Sequence, residues 1–121
     1  MGSILIIDDD QTYRNKLAAL ASPTGRLVQT VDGGKAGLAK AKEMKPSLIL
    51  LDVVMPGPGN DGFSCLTALR ADPSLKSAAI VMVTTKSGAI DKQFATRLHA
   101  TDYLVKPFQD SEVASILAKY Q

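Results

Sequence analysis

Ile4-Leu5-Ile6-Ile7-Asp8-Asp9-Asp10 reads as a buried strand that emerges from a core onto acids, and Leu48-Ile49-Leu50-Leu51-Asp52 repeats the pattern further along the chain. Four apolar residues in a row without polar alternation suit a strand covered on both faces. Shorter or less uniform apolar runs at 27–31, 79–83 and 103–105 have the same character. Together they predict five strands.

Helix-length segments lie between them. Residues 14–21 place Leu17 and Leu20 three apart, and 63–71 place Phe63, Leu66, Leu69 and Arg70 at helical spacing. Residues 89–98 align Ile90, Phe94 and Leu98, and 111–120 align Val113, Ile116, Leu117 and Tyr120 on one stripe. The segment 35–44 has the weakest pattern, because Gly37 lies inside it and its apolar residues are mostly alanine. Asp10 or Thr12, Asp61 and Asp110 are the expected N-caps. Pro23 to Gly25 and Asp72-Pro73 read as turns, and 56–60 as a loop directly after Asp52. Strict alternation of strand and helix predicts an α/β domain over residues 1–121: a doubly wound parallel sheet, right-handed crossovers, helices on both faces. A chain of 121 residues has the size of one such domain and can bury a core without disulfides.

Composition narrows the function classes. With 14 basic and 12 acidic residues and no basic run or aromatic-basic stripe, nucleic-acid binding is not expected. Cys65 is the single cysteine, which excludes an internal disulfide and any multi-cysteine metal site. The sequence has no long apolar stretch and no signal-peptide pattern, so the expectation is a soluble, cytoplasmic protein with no membrane insertion.

In open α/β sheets, function gathers at the carboxyl ends of the strands. Asp8 and Asp9 follow the first predicted strand, Asp52 the third and Lys106 the fifth, so three acids and one ammonium arrive at one end. Any one acid alone is better explained as a cap of its strand or of the helix after it. Their convergence points to a cation, and hard carboxylate oxygens with little else suit Mg²⁺.

The pieces ILIIDDD, DGGKAG, LILLDVVMP, DGFSCLTALR, IVMVTT and YLVKPF, in this order, resemble the receiver domain of two-component response regulators. The resemblance covers nearly the whole chain. It implies a flavodoxin-like fold with strand order 2-1-3-4-5 and makes Asp52 the acceptor of a phosphoryl group from a histidine kinase. It further implies Mg²⁺ held by Asp9, Asp52, the backbone carbonyl of Val54 and, through water, Asp8. Lys106 becomes the catalytic ammonium and Thr84 the switch hydroxyl. Tyr103 matches the aromatic that follows by turning inward, and the Lys106-Pro107 bond is expected to be cis. A downstream protein partner is expected on the face of the fourth helix, fifth strand and fifth helix. Within the family, TTKSGAIDKQFATRLHATDYLVKPF is similar to regulators of twitching motility and chemotaxis-like pathways.

Three positions depart from the common pattern. Gly57-Pro58-Gly59-Asn60 makes the loop beside the acceptor about two residues longer than usual. His99 stands where glycine is usual at the end of the fourth helix, and reads as a left-handed helix end rather than a ligand. Lys86, two residues after Thr84, is open between reaching the phosphoryl group and being solvated.

The leading function is thus a stand-alone phosphorylation switch that changes its protein partner and catalyses only its own phosphoryl transfer and loss. A phosphorylation-independent docking module is the alternative, and its mark would be a lost acid, lysine or threonine. A phosphatase with an aspartyl nucleophile is disfavoured because Val54 stands where a second Asp is expected. A nucleotide-binding flavodoxin-like protein is disfavoured because the first loop is acidic instead of glycine-rich.

Overall fold

The computed structural model describes residues 2–121. Five strands, β1 (Ile4–Ile7), β2 (Val28–Val31), β3 (Leu48–Leu51), β4 (Ala79–Thr84) and β5 (Asp102–Val105), form one parallel sheet in the order β2-β1-β3-β4-β5. This is the doubly wound order that the resemblance implies. The intervening helices are α1 (Gln11–Ala21), α2 (Gly34–Met44), α3 (Gly62–Ala71), α4 (Ala89–Arg97) and α5 (Asp110–Lys119), with short 3-10 turns at Ser22–Thr24 and Pro73–Leu75.

Side chains alternate across a strand, so each central strand feeds two cores. Leu5, Ile7, Ile49, Leu51, Ile80 and Met82 pack toward α2, α3 and α4, against Ala41, Leu66 and Ala95. Ile4, Ile6, Leu48, Leu50, Val81 and Val83 pack toward α1 and α5, against Leu17, Val113 and Ile116. Burial on both faces explains the unbroken apolar runs. Gly37, which weakens the helical pattern of α2, has a packing reason: a Cβ there would stand 2.5 Å from Ile7 Cδ1. A small residue lets α2 lie close on β1.

Several boundaries differ from the sequence reading. Leu27 lies outside β2; it is 61% exposed and only its carbonyl joins the ladder, accepting the Ile4 N–H at 2.8 Å. The cap of α1 is Asp10, whose carboxylate accepts the Thr12 and Tyr13 N–H groups, so Thr12 lies inside the helix. Asp61 caps α3 as expected. Asp110 does not cap α5. It is the first helical residue, and the cap is Gln109, whose N–H is accepted by the Glu112 carboxylate at 2.8 Å. Lys45 ends α2 in a left-handed conformation (φ 47°). His99 follows α4 with φ 69°, as its reading as a helix end requires.

Register places the functional end of the sheet. Ile7 pairs with Leu51 and Thr84 with Val105. The ladder then runs one residue further: Asp8 N–H to the Val31 carbonyl, Asp52 N–H to Ile7, Lys106 N–H to Thr84. Asp8 and Asp52 therefore leave the sheet side by side, beside the point where the strand order reverses. Among the described residues, no helix is long and apolar enough to cross a membrane.

Candidate functional site

Asp8 and Asp52 are buried, at 1% and 7% exposure, and Asp9 is exposed beside them. One carboxylate oxygen from each lies within 4.8 Å of the others. Lys106 comes across from the end of β5, 5% exposed, and its ammonium donates to Asp8 Oδ2 at 2.5 Å and to Asp52 Oδ2 at 3.0 Å. Sequence reasoning set Lys106 beside the acceptor; its direct bond to Asp8 is the additional finding. The other oxygen of each acid accepts a backbone N–H: Asp8 Oδ1 takes the Asp10 N–H at 2.9 Å, and Asp52 Oδ1 takes the Val54 N–H at 3.3 Å. The acids are thus fixed in place by backbone and ammonium together.

Two residues were not anticipated. The Tyr13 ring lies under the Lys106 ammonium, 4.0 Å from ring centroid to Nζ, and Arg14 donates from Nη1 to the Asp8 carbonyl at 2.7 Å. Both sit in the first turns of α1, which starts directly after the acids, so that proximity was the available signal.

The charges are strongly interdependent. Burial raises the Asp8 carboxyl above its usual range and the neighbouring Asp52 charge adds to this, against the Lys106 and Asp10 hydrogen bonds. Burial alone would lower the Lys106 ammonium, but its bond to Asp8 and the charges of both acids outweigh that and raise it. Lys106 therefore keeps its proton at neutral pH. Three carboxylates face one ammonium, an excess of negative charge that a divalent cation offsets. A cluster of hard oxygens with Asp9 open to solvent fits Mg²⁺.

Thr84 ends β4 fully buried, and its Oγ1 accepts the Lys86 N–H at 3.3 Å. Tyr103, half-buried on β5, donates its hydroxyl to the Lys86 carbonyl at 2.6 Å. Burial, then the charges of Asp91 and Asp52, push that phenol up to about 12. Both hydroxyls thus grip the backbone of one residue, while the Lys86 side chain is exposed. Val54, just past Asp52, is 50% exposed. The Lys106-Pro107 bond is cis. His99 stands apart from the acids, its carbonyl accepting from Arg70 Nε at 2.9 Å.

The long loop after Asp52 is folded back on α2: Asn60 Oδ1 accepts the Lys35 N–H at 2.9 Å.

Comparison with known proteins gives a consistent result. Residues 4–118 match the family model described as the response regulator receiver domain. Protein PilH of Pseudomonas aeruginosa is 37% identical over 110 residues, covering 91% of this chain and 89% of its own. The transcriptional regulatory protein GltR of the same organism is 37% identical over 111 residues, and there the match spans 45% of the longer protein. The structure of the Vibrio cholerae chemotaxis protein CheY4 superposes with a TM-score of 0.91 at 30% identity, covering 100% of this chain and 99% of the other.

Proposed function

The chain belongs to the response regulator receiver family, and from that premise we propose that it is a phosphorylation-dependent switch whose acceptor is Asp52. The phosphodonor is the phosphohistidine of a histidine kinase. An Asp52 carboxylate oxygen forms the new bond to phosphorus while the bond to the donor imidazole breaks, leaving the nitrogen lone pair and proton with the donor. What carries this reading is the convergence of Asp8, Asp9, Asp52 and Lys106 from three strands onto one point at the carboxyl end of the sheet, with only Asp9 open to solvent.

Phosphoryl transfer is mainly a matter of positioning and charge stabilisation. The Asp52 carboxylate is oriented by the Val54 N–H and by Lys106, whose ammonium faces the oxygen side on which negative charge accumulates. Asp9, Asp52 and the Val54 carbonyl, with Asp8 through water, would hold Mg²⁺, which would supply positive charge to the crowded oxygens. Thr84 supplies a hydroxyl proton for a phosphoryl oxygen. To reach it, Thr84 gives up its hold on the Lys86 N–H, and because Tyr103 grips the carbonyl of that residue, the disturbance passes toward α4 and β5.

A downstream protein therefore reads the face of α4, β5 and α5. The match with PilH and CheY4 supports a chemotaxis- or twitching-motility-like regulator. The docking-module alternative finds no lost acid, lysine or threonine to favour it. Amide NMR with beryllofluoride and Mg²⁺ tests the switch: shifts should spread from Asp52 through Lys86 into α4, β5 and α5. Shifts confined to residues touching Asp52 would contradict it.

A further inference from the structure

Asn60, in the extended loop after Asp52, makes four hydrogen bonds that tie that loop to itself and to α2. Its Nδ2 donates to the Pro56 carbonyl at 2.8 Å and its N–H to the Gly57 carbonyl at 3.1 Å. Its Oδ1 accepts the Lys35 N–H at 2.9 Å and its carbonyl accepts the Gly34 N–H at 3.1 Å. The first residues of α2 have no side-chain cap of their own, because their N-cap is Gly33. Asn60 satisfies those amides from another part of the chain.

The opposing surface is cut to receive it. A Cβ on Gly33 would come within 2.9 Å of Asn60 Nδ2, and one on Gly34 within 2.5 Å of the Asn60 carbonyl oxygen. Gly33 has extended backbone (φ −168°), and neither glycine has the left-handed conformation that selects glycine elsewhere, as at Gly57 and Gly59. Clearance for Asn60 accounts for their small size. At its base the loop is closed by the Gly62 N–H on the Val53 carbonyl at 2.8 Å.

We propose that Asn60 is a positioning residue for the acceptor site: by docking the long loop on α2, it sets the backbone through Pro56 and so holds the Val54 carbonyl ready for the cation. The inference rests on the metal reading given above and adds a residue to it. Pro56 is two residues from Val54, a segment too short to reorient freely once its far end is anchored. Preorganisation of this kind lowers the ordering cost of binding, and residues that orient ligands affect metal affinity without touching the metal.

The test is Mg²⁺ titration of the unphosphorylated protein followed by amide NMR, for the parent, Asn60→Ala, Gly33→Ala and the double variant. Gly33→Ala leaves Asn60 in the sequence but displaces its side chain, so it probes the same dock should Asn60→Ala fold poorly. Each single variant should bind Mg²⁺ about tenfold more weakly, the lower end of what loss of a ligand-orienting partner costs. The double variant should lose no more than either single one, because both break one contact. Protection of the Gly34 and Lys35 amides from hydrogen exchange should fall in both. Unchanged Mg²⁺ affinity in both single variants, with only the melting temperature lowered, would make Asn60 merely structural and overturn the proposal. An Asp9→Ala control that bound Mg²⁺ as the parent does would instead overturn the metal reading beneath it.

Discussion

Replacing Lys106 by Met tests how tightly the site is balanced. Methionine keeps most of the apolar stem while removing the ammonium that lies over Tyr13. The charged groups are nearly free of solvent, with side-chain exposures of 3% for Lys106, 2% for Asp8 and 8% for Asp52. The exposed pair Lys16–Asp110, 3.7 Å apart at 48% and 70% exposure, is a contrast worth under about 1 kcal/mol. Removing one partner of a buried pair costs about 3–5 kcal/mol, because the other is left charged and dry. A loss of about 4 kcal/mol, divided by a urea m-value of about 1.5 kcal/mol per M, lowers the unfolding midpoint by about 2.7 M.

The deficit should also depend on pH, with a definite sign. Asp8 is already raised by burial, and the variant loses the Lys106 bond that holds it down. The folded state then binds a proton more tightly than the unfolded one, so stability rises as pH falls from the raised folded value toward the unfolded 3.8. Within that window each pH unit recovers up to about 1.4 kcal/mol. Urea unfolding of variant and parent followed by far-ultraviolet circular dichroism at pH 7.5, 6.0 and 4.5 measures both quantities. A deficit under about 1 kcal/mol at pH 7.5, or one that does not shrink on acidification, would refute the reasoning.

Asp9→Ala should weaken Mg²⁺ binding severely in a titration, since it removes one hard ligand from a site with few; binding like that of the parent would put the metal elsewhere. Loss of the phosphoryl group should be slow compared with fast chemotaxis regulators, because half-exposed Val54 can neither orient nor activate water. Lys86 has an exposed side chain, and an ammonium that reached the phosphoryl oxygens would stabilise ground and transition states alike, which gives no acceleration. Single-turnover decay decides this: a half-life of seconds would count against it, and slow decay that quickens in Val54→Asn would identify the cause.

The sheet was legible because burial on both faces wrote unbroken apolar runs at β1 and β3, and the acids ending them marked the functional end. The edge strand β2 was less so, since Leu27 is as apolar as its neighbours yet points to water. At α5 the glutamine–glutamate spacing of Gln109 and Glu112 carried the cap signal, but an aspartate one residue later looked like the better cap. Arg26 was invisible. It is 6% exposed, donating to the carbonyls of Gly2 and Leu117 and to Ser47 Oγ, partners scattered along the chain and mostly backbone, and burial lowers its pKa. Arginine on a short connection reads as surface. The Asn60 dock was hidden for a related reason: a loop rich in glycine and proline shows where the chain turns, not what it folds onto.

The central claim is that Asp52 alone accepts the phosphoryl group. Intact-protein mass measurement after incubation with a small acyl-phosphate donor and Mg²⁺ tests it directly. The parent should gain one phosphoryl group and Asp52→Asn none; the same gain in Asp52→Asn would contradict the account.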